Sequence, residues 1–165
     1  MKFLEVDLEE IICKTENDLL VERGLNIFGH KKRQVRLGNY GIADIITFER
    51  PTRFFENIQK GKITIYELKK DKISVSAFFQ ALRYLKGCTR YLEKRDFDFL
   101  HFDLEICLIG KEIDLESSVS YLGDLFENDV IMESVTKISL YTYNYDIDGL
   151  SFQKVEGYKL KNEGF

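Results

Sequence analysis

The most constraining feature of the sequence is a long amphipathic helix between two apolar strands. From Ser74 to about Lys94, apolar residues recur every three or four positions, which predicts a helix with Ser74 or Asp71 as its N-cap. Residues 63–69 (ITIYELK) and 99–109 (FLHFDLEICLI) have strand composition. This strand–helix–strand order predicts two parallel, adjacent strands with a right-handed connection. The chain should therefore be an α/β protein with a covered sheet.

The remaining elements extend this unit at both ends. The other predicted elements are an opening helix at about 7–23 capped by Gly24, a hairpin at about 33–48, a longer loop at 49–62, a helix at 117–127, and strands at 136–145 and 150–160. The order αβββαβαββ is that of an α/β or mixed domain. With 165 residues, we expect one domain spanning 1–165.

Composition narrows the classes of protein to which the chain can belong. The net charge of −4 and the pI near 5.3 argue against non-specific adhesion to nucleic acid, so such a role requires a local basic patch. The three cysteines are widely spaced and form no CxxC motif, so they indicate neither a disulfide framework nor a zinc site. No stretch reaches the roughly 18 apolar residues of a membrane span. We therefore expect a soluble protein of the reducing cytoplasm.

The charged residues at the end of the strand at 63–69 are the first candidates for a functional site. Alternation places Glu67 and Lys69 on the same face of this strand, at the carboxyl edge of the sheet, where α/β proteins build sites. Taken alone, the pair is better explained by an exposed cross-strand ion pair worth at most about 1 kcal/mol. Asp44 changes this balance, because it interrupts an apolar strand and requires a cation there.

Two carboxylates and a lysine at one sheet edge predict a particular chemistry. If the strand of Asp44 pairs with the strand of Glu67, their oxygen ligands suit a hard divalent ion such as Mg²⁺ or Mn²⁺. Lys69 would then lie where it can contact a water that attacks a substrate. The residues therefore favour a site for a hard divalent cation at this edge of the sheet.

The same residues resemble the PD-(D/E)xK nuclease superfamily over about residues 7–110. The pattern is most similar to the branch with archaeal mismatch-type endonucleases: a G-x-x-D strand at Gly41–Asp44, an ELK strand at Glu67–Lys69, and a Q-x-x-x-Y helix with Gln80 and Tyr84. Alanine replaces the proline of the family name. The resemblance implies a restriction-endonuclease-like core, a mixed central sheet flanked by helices, and an endonuclease or exonuclease that cleaves DNA.

The resemblance also implies roles for the strand residues. Asp44 and Glu67 would bind Mg²⁺ or Mn²⁺, and the backbone carbonyl of Leu68 would add a ligand. Lys69 would position the attacking water or help to deprotonate it.

Helix residues complete the implied site. The glutamate that the family carries on its first helix would be Glu10 or Glu9, with a slight preference for Glu10. Gln80 and Tyr84 are four residues apart and therefore share one helix face, and the resemblance implies that they line the active site. That face differs from the expected core stripe, which consists of Phe78, Phe79, Leu82 and Leu85.

Partners are suggested by a basic cluster beside the presumed site. Lys31, Lys32, Arg33 and Arg36 are candidates for phosphate contacts with DNA. A homodimer is compatible with cleavage of both strands of a duplex, although no residue requires one. Two other interpretations remain open: a non-catalytic binding or assembly module on a nuclease-like fold, and an α/β domain whose Glu67–Lys69 pair is a surface salt bridge.

Overall fold

A computed structural model describes residues 3–95, 101–114, 116 and 137–155. Its helices are α1 (Glu5–Lys14), α2 (Asn17–Glu22) and α3 (Val75–Glu93), with a 3₁₀ turn at Gly38–Tyr40. Its strands are β1 (His30–Arg36), β2 (Ile42–Glu49), β3 (Thr52–Phe54), β4 (Asn57–Gln59), β5 (Gly61–Leu68), β6 (Lys72–Ile73), β7 (Phe102–Gly110), β8 (Glu112–Ile113), β9 (Lys137–Asp146) and β10 (Gly149–Lys154). The predicted helix at 117–127 lies outside the described residues.

A mixed six-stranded sheet organises the chain, with the order β1-β2-β5-β7-β9-β10. Strands β1, β2 and β5 form an antiparallel meander, whereas β5, β7 and β9 are parallel. The predicted parallel neighbours are β5 and β7, which pair from Gly61 opposite Phe102 to Leu68 opposite Ile109. The expected α/β class is confirmed, as is the α3 helix that joins these strands.

Helices cover both faces of this sheet because the side chains of β5 alternate between two cores. Ile63 and Ile65 pack with residues of α3 in one buried cluster. Tyr66 and Leu68 pack on the other face, in a cluster that includes Leu8 and Ile12 of α1 and Leu20 of α2. The carboxyl end of β5 is consequently held between helices on both sides.

The opening helix differs from its prediction at Thr15 and Glu16. The apolar period from 7 to 23 predicts one helix, but the structure has α1 and α2 with extended backbone at Thr15 (φ −82°, ψ 135°). The ammonium of Lys31 donates hydrogen bonds to the carbonyls of Ile12 and Thr15, so it stabilises the end of α1. A long-range contact of this kind leaves no periodic signal in the sequence.

The segment between β2 and β5 also differs from its prediction as a loop. It contains a small antiparallel hairpin, in which Thr52 pairs with Gln59 and Phe54 with Asn57. Each three-residue strand contains a single apolar residue, Phe54 or Ile58, which is too few to form an alternating pattern and explains why strand patterns do not reveal them. This hairpin lies at the end of β5 opposite Glu67.

No helix among the described residues has the length and apolar character needed to cross a membrane. The three cysteines are free thiols, and those of Cys88 and Cys107 are buried.

Candidate functional site

Asp44 and Glu67 meet because β2 and β5 are antiparallel neighbours. Their pairing places Ile45 opposite Tyr66, so the next position along each strand is Asp44 on β2 and Glu67 on β5. The carboxylate of Asp44 bridges the strands by accepting a hydrogen bond from the Leu68 amide, with 2.9 Å between Oδ2 and the nitrogen. The predicted convergence of these residues is therefore present.

The Glu67 carboxylate is buried and only half satisfied. Glu67 is 2% exposed, and its Oε1 accepts a hydrogen bond of 2.8 Å from the Lys69 ammonium. Its Oε2 is buried and has no hydrogen-bond partner within the described structure. A buried, unpaired carboxylate oxygen is costly, since burial removes its water without replacing it. The interpretation of Glu67 and Lys69 as an exposed surface salt bridge is therefore wrong.

Both carboxyl groups hold their protons more tightly than usual. Burial raises the pKa of Asp44 to about 6, although the hydrogen bond from the Leu68 amide opposes this. Burial and the neighbouring charge of Asp44 raise the pKa of Glu67 to about 7, against the hydrogen bond from Lys69. Two ionised carboxylates close together in a desolvated place repel each other, and a cation relieves this repulsion.

Lys69 connects the two carboxylates to α3. Burial lowers the pKa of Lys69, but the hydrogen bond and charge of Glu67, with the charges of Glu5 and Asp44, raise it above its usual value overall. Lys69 is therefore protonated at neutral pH and is not a base in this state. Its ammonium also donates to Gln80 Oε1 at 3.4 Å, and Gln80 Nε2 donates to the Tyr84 hydroxyl at 2.7 Å. The predicted strand and helix residues thus form one connected network.

A glycine allows the turn before β2 to lie against this network. Gly41 has φ +106°, a conformation that residues with a Cβ rarely adopt. A Cβ at Gly41 would lie 2.9 Å from Cε1 of the Tyr84 ring. The glycine of the G-x-x-D pattern is therefore required both by its backbone and by the close approach of Tyr84.

The structure distinguishes Glu9 from Glu10, the two candidates for the glutamate that the family carries on its first helix. Glu9 is 3% exposed and accepts hydrogen bonds from Arg33 and, at 2.6 Å, from Gln34. Glu10 is on the outer side of α1, where it is paired with Lys14. The bond to Lys14 lowers the pKa of Glu10. The preference for Glu10 was wrong as to orientation, because Glu9 is the residue turned inward.

Sequence analysis missed a third carboxylate, that of Glu5. Its Oε2 accepts a hydrogen bond of 3.1 Å from the Lys70 amide, directly after Lys69. Its charge contributes to the raised pKa values of both Asp44 and Glu67. A signal was available, because Glu5 and Glu9 are four residues apart and share a helix face. The predicted helix began at residue 7 and thus excluded Glu5.

Half of the predicted phosphate-binding cluster is used within the protein. Lys31 caps α1, and Arg33 pairs with the buried Glu9. Lys32 and Arg36 are exposed on β1, and neither has an ion pair in the part of the chain that the structure describes. Two of the four cations are thus available to an external ligand.

The oxygen donors at the site set the kind of ion it can hold. Within residues 3–95, 101–114, 116 and 137–155, no group of three or more His, Cys, Asp or Glu side chains has the geometry to share a metal ion. Asp44 and Glu67 are instead a pair, which suits ions that take further ligands from water and substrate, as Mg²⁺ does. A cavity lined by Lys62, Thr64 and Glu105 lies towards the other end of β5 and is separate from this pair.

Comparison of the whole chain with family models, with curated proteins and with solved structures finds no match.

Proposed function

We propose that the chain is a metal-dependent nuclease that hydrolyses DNA phosphodiester bonds through Asp44, Glu67 and Lys69. The observation that carries the proposal is the buried Oε2 of Glu67, which has no partner in the described structure and lies beside the strand of Asp44. A structural ion pair would not need this second carboxylate. A cation-binding site would.

The donor set fits a hard divalent ion. Asp44 and Glu67 would hold Mg²⁺ or Mn²⁺, and the expected ligand from the Leu68 carbonyl is part of the proposal. When bound, such an ion supplies charge neutralisation at the scissile phosphate and an activated water. The raised pKa values of the two carboxyl groups support this assignment, because they indicate negative charge that the protein alone does not neutralise.

Hydrogen bonds with the surrounding residues fix the position of Lys69 and thereby suggest its role. Its ammonium is held by Glu67 and Gln80, and Gln80 is held by Tyr84. A protonated lysine fixed in this way can orient a water molecule and stabilise negative charge on the phosphate, so we assign it positioning rather than deprotonation. Glu5 fixes the Lys70 amide and adds a third negative charge nearby.

Topology supports the same proposal. An antiparallel meander of three strands, a crossover helix and a parallel fourth strand, after an opening helix, is the arrangement that the resemblance to PD-(D/E)xK nucleases implies. In our proposal the described sheet is the core of a restriction-endonuclease-like fold. Cytoplasmic location and homodimer formation are further parts of it, and the free thiols suit a reducing compartment.

A second candidate is a non-catalytic binding or assembly module on the same scaffold. Hydrogen bonds within the protein already use one oxygen of each carboxylate, Oδ2 of Asp44 and Oε1 of Glu67. A protein that had lost catalysis could retain such bonds for stability.

A cleavage assay separates the two candidates. Single-stranded, duplex and branched DNA are incubated with Mg²⁺ or Mn²⁺ and the native chain, the Glu67→Gln variant or the Lys69→Met variant. A Glu10→Gln variant is the matched control, because Glu10 is exposed and paired with Lys14. We expect cleavage by the native chain and the control only. Cleavage that survives both site substitutions would contradict the mechanism, and no cleavage of any substrate would favour the module.

A further inference from the structure

The outer face of α3 carries a narrow row of four residues that points away from the core. Phe79, Arg83, Lys86 and Arg90 follow each other at intervals of four, three and four residues, and all are exposed. On a helix with 3.6 residues per turn, these intervals place them on one line along the axis. The core lies on the opposite side, where Ala77, Ala81 and Cys88 are buried.

Phe79 is unusual at the head of this row. It was expected in the core stripe, but it is 63% exposed, whereas its neighbour Phe78 is buried. Consecutive helix residues differ by about 100° in direction, and the core accommodates only Phe78. The ring of Phe79 contacts Phe78, with 5.6 Å between the ring centroids, and lies one residue from the Gln80 that contacts Lys69. A ring exposed to this extent can accept a stacked base.

The charges behind Phe79 are available to an external ligand. Arg83 and Lys86 have no ion pair among the residues that the structure describes, although the Arg83 guanidinium lies 5.6 Å from the centre of the Tyr84 ring. Arg90 is paired with Glu93, the only acidic residue of α3, at 3.0 Å. In a chain with a net charge of −4, this face is locally positive.

We propose that the outer face of α3 is a track for a single nucleic-acid strand, which leads to the site at Gln80 and Lys69. A base stacks on Phe79, and successive phosphates contact Arg83 and Lys86. Helix residues three or four apart lie about 5–6 Å from each other, a spacing that adjacent phosphates of an extended strand can match. The proposal rests on the proposed function, since the track delivers the strand to that site.

A single strand fits this surface better than a duplex. The row is one residue wide, so it can follow one phosphate backbone. A base can stack on an exposed aromatic ring only when it is free of its own stack, as in single strands and junctions. DNA and RNA share this chemistry, so a test must include both.

Binding can be measured without cleavage. Fluorescence anisotropy is recorded with a Glu67→Gln chain in EDTA, against single-stranded DNA, single-stranded RNA of the same sequence and the corresponding DNA duplex. The variants are Phe79→Ala and the double substitution Arg83→Gln/Lys86→Gln.

The matched controls are Phe55→Ala, whose ring is 98% exposed on the β3–β4 hairpin, and Arg53→Gln/Lys60→Gln, which removes the same charge at the far end of β5. Circular dichroism checks that each variant is folded.

We expect the native surface to bind a single strand more tightly than the duplex. Phe79→Ala should weaken single-strand binding about tenfold, as loss of one stacked base does. The double substitution should reduce the slope of log affinity against log salt by about 1.4, because each phosphate contact on a single strand contributes about 0.7. The strand type bound more tightly, DNA or RNA, identifies the substrate.

Three results would overturn the track: affinity unchanged in both variants, equal losses in the controls, or tighter binding of the duplex without an effect of Phe79. These outcomes are separate from those of the nuclease. Strand binding that depends on Phe79, in a native chain that cleaves nothing, would support the track and contradict the nuclease. Cleavage with unaffected binding would contradict the track alone.

Discussion

Two lysine–glutamate ion pairs, one near each end of β5, differ in their exposure to solvent. Near the start of β5, Lys62 lies 3.4 Å from Glu105 of β7, and Glu105 retains 18% exposure on its side chain. At the other end, Lys69 lies 2.8 Å from Glu67, whose side chain is almost completely buried. Both pairs involve a residue of the mostly apolar strand β5, yet only the second contains an almost fully buried carboxylate.

The difference lies in the balance of charge. At the start of β5, Lys60 pairs with Asp103 and Lys62 with Glu105, so cations and carboxylates match. At the end of β5, the single ammonium of Lys69 faces Glu67, Asp44 and Glu5. Excess negative charge out of water is stable only if a proton or another cation compensates it. Equal numbers of cations and carboxylates at the start of β5 indicate ion pairs that stabilise the fold. The excess of carboxylates at its end indicates a site that binds a cation.

The largest expected difference between the two ends of β5 is in the rate of cleavage. Glu67→Gln keeps the shape of the side chain but removes the charge, and we expect cleavage to fall on the order of a thousandfold or more, since loss of ion-mediated charge stabilisation is worth several kcal/mol. Glu105→Gln, at the balanced end, should change the rate less than about twofold. Rates under single-turnover conditions at saturating Mg²⁺ give the measurement. Equal losses of activity in Glu67→Gln and Glu105→Gln would contradict the proposed difference between the two ends of β5.

Of the two ends of β5, only the one with Asp44 and Glu67 should make the free energy of unfolding depend on pH. Because the pKa values of Asp44 and Glu67 are raised to about 6 and about 7, the folded metal-free chain binds more protons than the unfolded chain between about pH 4 and 7. The free energy of unfolding contributed by these groups is therefore highest at low pH. It should fall as the pH rises through this window, by on the order of 6 kcal/mol, because each of the two pKa values lies roughly 2 above its ordinary value.

Urea unfolding at several pH values, in EDTA, measures this loss. The Asp44→Asn/Glu67→Gln double variant should lose most of the pH dependence, while the Glu105→Gln control should retain it. Mg²⁺ should flatten the native profile, because it favours the ionised carboxylates. A native profile that rises from pH 5 to 8 in EDTA would show that the cluster is not the source.

The turn that supports the site can be tested through Gly41. In the Gly41→Ala variant, the positive φ and the contact with the Tyr84 ring should reduce stability by about 1–2 kcal/mol, and cleavage should fall as well. Gly38→Ala is the matched control, because Gly38 also has positive φ (+58°) but no atom lies near its added Cβ. Thermal unfolding and cleavage rates compare the mild strain at Gly38 with the combined effect at Gly41, where a backbone conformation nearly restricted to glycine (φ +106°, ψ −157°) adds to the contact with Tyr84. Equal effects on activity would contradict a role for that contact.

The smallest effect is expected in the hydrogen-bond network of Lys69. Tyr84→Phe removes the hydroxyl that accepts a bond from Gln80, which should cost about 1 kcal/mol and slow cleavage about fivefold, with little change in affinity for DNA. Tyr91→Phe, on the exposed side of α3, should have no effect. Separate measurements of kcat and KM test whether Tyr84→Phe slows the chemical step without weakening the binding of DNA. A change in KM alone would assign Tyr84 to substrate binding.

Much of the fold and the centre of the site could be predicted because they depend on local patterns. The period of α3 and the apolar runs of β5 and β7 fixed a parallel pair. The pairing of β2 with β5 was only a condition of the sequence prediction, and the structure meets it, which brings Asp44 beside Glu67. Charges that interrupt apolar strands were informative, since burial makes them costly without a partner.

Features that depend on tertiary contacts could not be predicted. The rotation of α1 decides that Glu9 and Glu5 face inward and Glu10 outward, and this rotation is set by packing on the sheet. The exposure of Phe79 depends on how α3 packs, since Phe78 and Phe79 are equally apolar in sequence. Arg33 and Lys31 appeared free for DNA because their partners, Glu9 and the end of α1, are distant in the chain.

Calorimetric titration with Mn²⁺ tests the central claim most directly, because it asks whether the unmatched carboxylates bind a cation without requiring a substrate. At pH 7.5 the native chain should show a saturable binding event accompanied by proton release, since Glu67 is partly protonated before binding. The event should vanish in the Asp44→Asn/Glu67→Gln variant and persist in Glu105→Gln. Equal Mn²⁺ binding by the native chain and the double variant, or none by the native chain, would contradict the account.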